Sequence, residues 1–124
     1  MRDWTAEELD QIGSADELEI AALRPDGSVR PFTTIWVIRI GDDLYVRSYR
    51  GRRGRWFRSV LQHPKGRIRG GGITRDVAFQ EPEDADHPAI DHAYQTKYAR
   101  YGNSYVDPMV SPNATAATLR LIAR

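Results

Sequence analysis

The stretch from Val29 to Ile40, VRPFTTIWVIRI, restricts the fold more than any other part of the chain. It is rich in β-branched and aromatic residues, which predicts a strand. Phe32, Thr34, Trp36, Ile38 and Ile40 share one face, and Thr33, Ile35, Val37 and Arg39 share the other. Over Ile35 to Ile38 both faces are largely apolar. That pattern suits a central strand of a closed barrel packed on both sides, or a strand at a subunit interface. Turn residues bound the stretch. Pro25-Asp26-Gly27 precedes it, where proline presets φ and glycine allows φ > 0, and Gly41-Asp42-Asp43 follows. The flanking strands are Leu18–Leu23 and Leu44–Tyr49. Strands that meet through tight turns rather than helical crossovers pair antiparallel.

The remaining segments fill in a mainly β chain with flanking helices. TAEE at Thr5 is a capping box and predicts a short helix over 6–13, within an N-terminal segment 1–16, with Trp4 stapled beneath it. RWFRSVLQHP reads as a helix that Pro64 stops. Arg67–Arg69 and Ile73–Glu81 read as two strands turned by Gly70 to Gly72. The segment 86–102 reads as a helix capped by Asp86, with Pro88 in its first turn, a stripe of Ile90, Tyr94, Lys97/Tyr98 and Tyr101, and Gly102 after its end. NSYVDPMVSPN reads as a loop, and 117–124 as a final strand whose sides alternate Thr118/Arg120/Ile122 against Leu119/Leu121. Short strands, turns and few helices predict an α+β fold built on a small antiparallel barrel, with 1–124 as one domain. A chain of 124 residues suffices for one core.

Several function classes drop out on composition. No apolar run approaches the ~20 residues of a membrane helix, so no membrane partner is expected. The acidic start, MRDWTAEELDQ, lacks the basic-then-apolar layout of a signal peptide, and the expected location is cytoplasmic. With no cysteine, disulfides, thiolate metal sites and cysteine nucleophiles are excluded. His63, His87 and His92 lack metal-ligand spacing. His63 reads as a cation at a helix end, and His87 and His92 as surface residues. Asp42 and Asp43 read as turn residues. No Ser/His/Asp, Cys/His or paired-acid constellation offers hydrolytic chemistry.

The chemistry-bearing feature is charge. From Leu44 to Arg75 the chain carries ten basic residues and no acidic one: Arg47, Arg50, Arg52, Arg53, Arg55, Arg58, Lys65, Arg67, Arg69 and Arg75. The rest holds 8 basic and 17 acidic residues, so a net charge of +1 conceals a +10 segment within a −9 remainder. Such a concentration attracts an anion or an acidic surface. Tyr45, Tyr49, Trp56 and Phe57 interleave the arginines, and Gly51 and Gly54 bracket Arg52 and Arg53. Three readings compete. A strand, a glycine-bracketed loop and a helix N-terminus form a phosphate clamp for a small nucleotide-like cofactor, and this reading stands first. A surface for nucleic acid, an acidic protein or an acidic partner subunit stands second. A solvated basic face is the third.

The stretch IWVIRIGDDLYVRSYRGRRGRWFRSVLQHPKGRIRGGG resembles the core of flavin-binding split-barrel proteins, in particular the deazaflavin-dependent nitroreductase branch. Over nearly its full length, with TxIW, LYVRS, AYxxKY and TLRL, the chain also resembles an uncharacterised bacterial family of unknown function. The resemblance implies an FMN-binding split-barrel fold, a homodimer, and FMN or a deazaflavin as cofactor. It places Thr33, Thr34 and Trp36 beside the flavin ring. Arg47 and Ser48 fall at the cofactor phosphate, Arg52, Arg53 and Gly54 in the phosphate-side loop, and Trp56 at the following helix start. An arginine-rich loop stands where glycine and lysine are commoner in the nitroreductases, and RSV stands where they carry an Asn-Leu pair. The implied reaction is hydride transfer to a small electron-poor acceptor, which needs no side-chain acid or base.

Overall fold

In a computed structural model, which describes residues 4–124, the chain forms a curled antiparallel sheet wrapped by helices. Helix α1 (Ala6–Ser14) begins with the expected capping box, Thr5 Oγ1 accepting from Glu8 N and Glu8 Oε1 from Thr5 N. The first three positions of the expected 1–16 segment lie outside the described residues. Trp4 is buried and its Nε1–H donates to Leu121 O at 3.0 Å, so it ties the cap to the last strand.

Seven strands follow: β1 (Leu18–Ala22), β2 (Thr33–Ile35), β3 (Ile38–Ile40), β4 (Asp43–Arg47), β5 (Lys65–Gly70), β6 (Ile73–Gln80) and β7 (Thr118–Ala123). Their order across the sheet is β2-β1-β5-β6-β7-β4-β3, with every pairing antiparallel. The stretch expected to form one strand over Val29–Ile40 is interrupted. Val29 makes only an isolated bridge to Leu23, and Trp36 and Val37 separate β2 from β3. The physical reason is that β2 pairs with β1 at one rim of the sheet while β3 pairs with β4 at the other. One chain segment therefore supplies both rims, and the wall curls round on itself.

Two apolar clusters hold this wall. Inside it lie Leu9, Ile12, Leu18, Ile20, Val37, Leu44, Val46, Phe57, Ile68, Val77, Leu119 and Leu121. Outside it, Ile38 and Tyr45 pack against α3 (His87–Lys97) through Ile90, Tyr94 and Tyr98, with Val106 and Met109. Asp86 caps α3 by accepting from Ala89 N. Strands β4 and β7 consequently meet packing on both faces. The alternation read for the last strand does not separate a wet face from a dry one, and Arg120 is buried on Tyr45 Oη (2.8 Å), Gln80 and Asp84. Between α3 and β7, the segment expected as loop contains short helices α4 (Asn103–Val106) and α5 (Pro112–Thr115), joined by a 3-10 turn over Asp107–Val110. Pro108 and Pro112 each sit at the start of a turn, where a missing N–H costs nothing. Among the described residues no helix is long and apolar enough to cross a membrane.

Candidate functional site

The strand β4 delivers Arg47 and then Ser48 to the opening of the wall. Ser48 N–H donates to Ala117 O (3.1 Å), and Gly51 N–H returns to Ser48 O (2.9 Å), so the chain doubles back at once. Gly51 takes φ +69, a conformation that side chains avoid, and the Asn113 side chain occupies the space a Cβ would need. A single 3-10 turn (Gly51–Arg53) leads to Gly54, the N-cap of α2 (Arg55–Gln62). The cap has no side-chain acceptor, and the first turn of α2 has no acidic residue. The backbone N–H groups of that turn are thus left for another acceptor, at the positive end of the helix dipole.

This turn, β2 and α4 enclose a cleft of about 450 Å³. Thr33, Thr34, Ile35 and Trp36 line one wall. Arg47, Ser48, Tyr49 and Arg50 line the floor and rim, Gly54, Arg55 and Trp56 the helix side, and Tyr105 and Met109 the last side. Among the described residues β2 pairs only with β1, so the cleft opens along its other edge. Tyr49 and Tyr105 stand 60% and 64% exposed at the mouth, leaving aromatic surface available for stacking.

Ser48 gives the site its polarity. Its Oγ is buried without a hydrogen-bond partner among the described residues, and a Cβ at position 54 would overlap it. A buried unpaired hydroxyl is costly unless something else satisfies it. Arg47 is fully buried, and its guanidinium is already spent on the scaffold. Nε donates to Thr118 Oγ1 (2.9 Å), Nη1 to Asp91 Oδ1 (2.5 Å) and Met109 O (2.9 Å), and Nη2 to His87 Nδ1 (3.2 Å). His87, expected at the surface, is therefore half-buried against Arg47, because α3 begins directly over the end of β4.

Of the residues singled out by sequence, the cleft brings together Thr33, Thr34, Trp36, Arg47, Ser48, Gly54 and Trp56. Arg52 and Arg53 are not among its lining. Arg52 donates to Glu81 Oε1 (2.5 Å) and Ala116 O (2.9 Å), and Arg53 projects from the exposed side of the turn. Arg50 and Arg55 line the cleft in their place. Sequence reasoning also missed Tyr105 and Met109, whose spacing of four was masked by the neighbouring prolines and glycine.

Trp36 lies flat on Tyr98, with ring centroids 3.9 Å apart and planes 2° from parallel. Tyr98 Oη accepts from Val37 N–H (3.1 Å) and donates to Asp16 O (2.8 Å). Burial raises the Tyr98 phenol, and raises Tyr94 likewise. Lys97 Nζ donates to Val37 O (2.7 Å), and desolvation lowers this amine to about 8.

A family model described as "Uncharacterized protein conserved in bacteria (DUF2255)" matches residues 8–121. No curated protein matches the sequence. Among solved structures, a conserved hypothetical protein from Mycobacterium tuberculosis aligns with TM-score 0.65 at 18% identity, covering 98% of this chain and 81% of that one. The haem storage protein HutZ from Vibrio cholerae aligns with TM-score 0.63 at 13% identity, covering 95% and 88%. An FAD-binding protein from Mesorhizobium loti aligns with TM-score 0.58 at 16% identity, covering 98% and 91%. At these identities the likeness establishes the fold: an antiparallel split barrel with flanking helices, shared with flavin-binding proteins.

Proposed function

The chain belongs to the bacterial DUF2255 family, and from the cleft's chemistry and the split-barrel fold we propose that it is a cytoplasmic, homodimeric protein that binds a flavin or deazaflavin at the split in its barrel. One observation carries the reading. An unpartnered, buried Ser48 Oγ lies beside the uncapped N-terminus of α2, with Arg50 and Arg55 at the rim. That set supplies a hydroxyl, backbone N–H groups, a helix dipole and two guanidinium groups, the partners a phosphate takes. The rest of the lining is apolar and aromatic, as a ring system requires. Thr33, Thr34 and Trp36 would flank the ring, Ser48, Arg50 and Arg55 would hold the phosphate, and Arg47 would position Ser48 and Met109. The neighbour from Mesorhizobium loti is described as FAD-binding, which supports the choice of a flavin.

A bound flavin would supply hydride chemistry, and the proposed reaction is hydride transfer to a small electron-poor acceptor. The residues around it bind, orient and exclude water. Titration with FMN, and separately with a deazaflavin, followed by quenching of cofactor fluorescence, tests the reading. Arg50→Ala with Arg55→Ala is expected to weaken binding by at least about tenfold, at ~1.4 kcal/mol per decade. Arg52→Ala is expected to leave it unchanged. If neither cofactor is taken up, the reading fails.

A second reading has its own support. Arg53 and Arg58 are exposed and hold no carboxylate among the described residues, next to Arg50 and Arg55. A binding module that meets an acidic partner through this face would associate in a salt-dependent way and without a chromophore.

A further inference from the structure

Two short runs of opposite charge lie side by side on this molecule. Residues 50–58 hold five arginines and no acidic residue, and residues 81–86, EPEDAD, hold four acidic residues and no basic one. The fold joins the runs at two points. Phe79 N–H, near the end of β6, donates to Pro64 O just after α2 (2.9 Å). Arg52 Nη1 donates to Glu81 Oε1 (2.5 Å), where the acidic run begins. Beyond that seam both runs face outward. Arg53 and Arg58 are exposed and hold no carboxylate among the described residues. Leu61, one turn on from Arg58 along α2, is 41% exposed. In the acidic run Asp84 accepts from Arg120 and Asp86 caps α3, yet both stay exposed. Glu83 is exposed too, without an ion-pair partner among the described residues.

Adjacent patches of opposite sign on one surface are what a twofold contact requires. Turning a second copy by half a revolution about an axis through the seam lays its acidic run on the first copy's arginines, and its arginines on the first copy's acidic run. A foreign acidic protein or a nucleic acid would meet the arginines but be repelled by the EPEDAD turn beside them. We propose that the outer side of α2 and the 81–86 turn together form a twofold interface between two copies of this chain. In it Arg53 and Arg58 of each copy meet the acidic run of the other, and Leu61 supplies apolar surface. The proposal deepens the reading of an acidic partner given above, by naming that partner as a second copy. Arg50 and Arg55 remain with the cleft, so the contact borders its mouth without needing a cofactor.

Sedimentation equilibrium of the full chain measures the self-association. Raising salt from about 50 mM to about 500 mM is expected to weaken it at least about tenfold, since the contact joins surface charges. Two variants then reverse one run each. Arg53→Glu with Arg58→Glu sets acids against acids. Glu83→Arg with Asp86→Ser sets a cation against cations, while serine keeps a cap on α3. Each variant alone is expected to associate at least about tenfold more weakly than the native chain. An equimolar mixture of the two should recover to within about threefold of native strength, because both contacts of the mixed pair again join opposite charges. A native chain that is monomeric at the lower salt overturns the proposal. So does either variant dimerising as tightly as the native chain, or a mixture no tighter than its components. Titration with a poly-glutamate peptide separates the two readings. A monomeric chain that binds the peptide, and loses it with Arg53→Glu and Arg58→Glu, sinks the self-contact and keeps the acidic-partner reading. A monomeric chain that ignores the peptide sinks both.

Discussion

Arginine and lysine divide the labour in this chain by how completely they are surrounded. Arg47 is fully buried and survives because Asp91, Met109 O, Thr118 and His87 use its donors together. A buried ion left without its partner is strongly destabilising. Asp91→Ala is therefore expected to lower stability by about 3 kcal/mol in urea unfolding, at the lower end of that range because Asp91 is partly exposed. Lys97 has the opposite character. Its folded-state value of about 8 lies below the 10.5 of a free lysine, so between those values the unfolded chain binds more protons than the folded one. Stability attributable to Lys97 thus rises from pH 8 to 10.5 and is lowest below pH 8. Lys97→Met should remove that rise, seen by comparing urea midpoints of the two proteins at pH 7, 9 and 10.5. Neither burial was visible in sequence. Alternation assigns Arg47 a face of β4, but nothing local says that α3 will place Asp91 on that face.

At the level of elements, the informative feature is the two-residue interruption between β2 and β3. Strand propensity reads Val29–Ile40 as continuous because every residue near the break suits a strand. What interrupts it is tertiary: Tyr98 and Lys97 of the α3 segment take the backbone groups of Val37 that a neighbouring strand would otherwise have used. Tyr98→Phe leaves the Val37 N–H buried without an acceptor and should cost about 1–3 kcal/mol. Hydrogen exchange at that amide should accelerate with it. The turns were legible because their chemistry is local, as at Gly27, Gly41 and the Gly71-Gly72 pair, all at positive φ. The join between β4 and α2 was legible in outline, and its inward-facing arginines were not. A 3-10 turn rotates Arg52 and Arg53 outward, and only the sheet's curl shows which side is inward. Gly54 adopts ordinary φ and ψ, so Gly54→Ala tests contact alone. It should destabilise by about 1–3 kcal/mol through Ser48 Oγ, and Ser48→Ala should recover part of that loss in a double-mutant cycle.

Over the whole molecule, the basic stretch and the acidic remainder prove to be largely complementary. Arg67 meets Asp76, Arg69 meets Glu19, Arg75 meets Glu8 and Arg52 meets Glu81, so much of the +10 is answered within the fold. What stays open is concentrated around α2's first turn, beside the cleft. The sheet order carries one more consequence. Strands β2, β1, β5 and β6 form one panel and β4 and β3 another, and among the described strands β7, paired with both β6 and β4, makes the hydrogen-bonded join between them. That strand is the last of the seven in sequence, and the cleft floor leans on it: Ser48 N–H bonds to Ala117 O and Arg47 Nε–H to Thr118 Oγ1, so the floor takes its final form only once this late segment is in place.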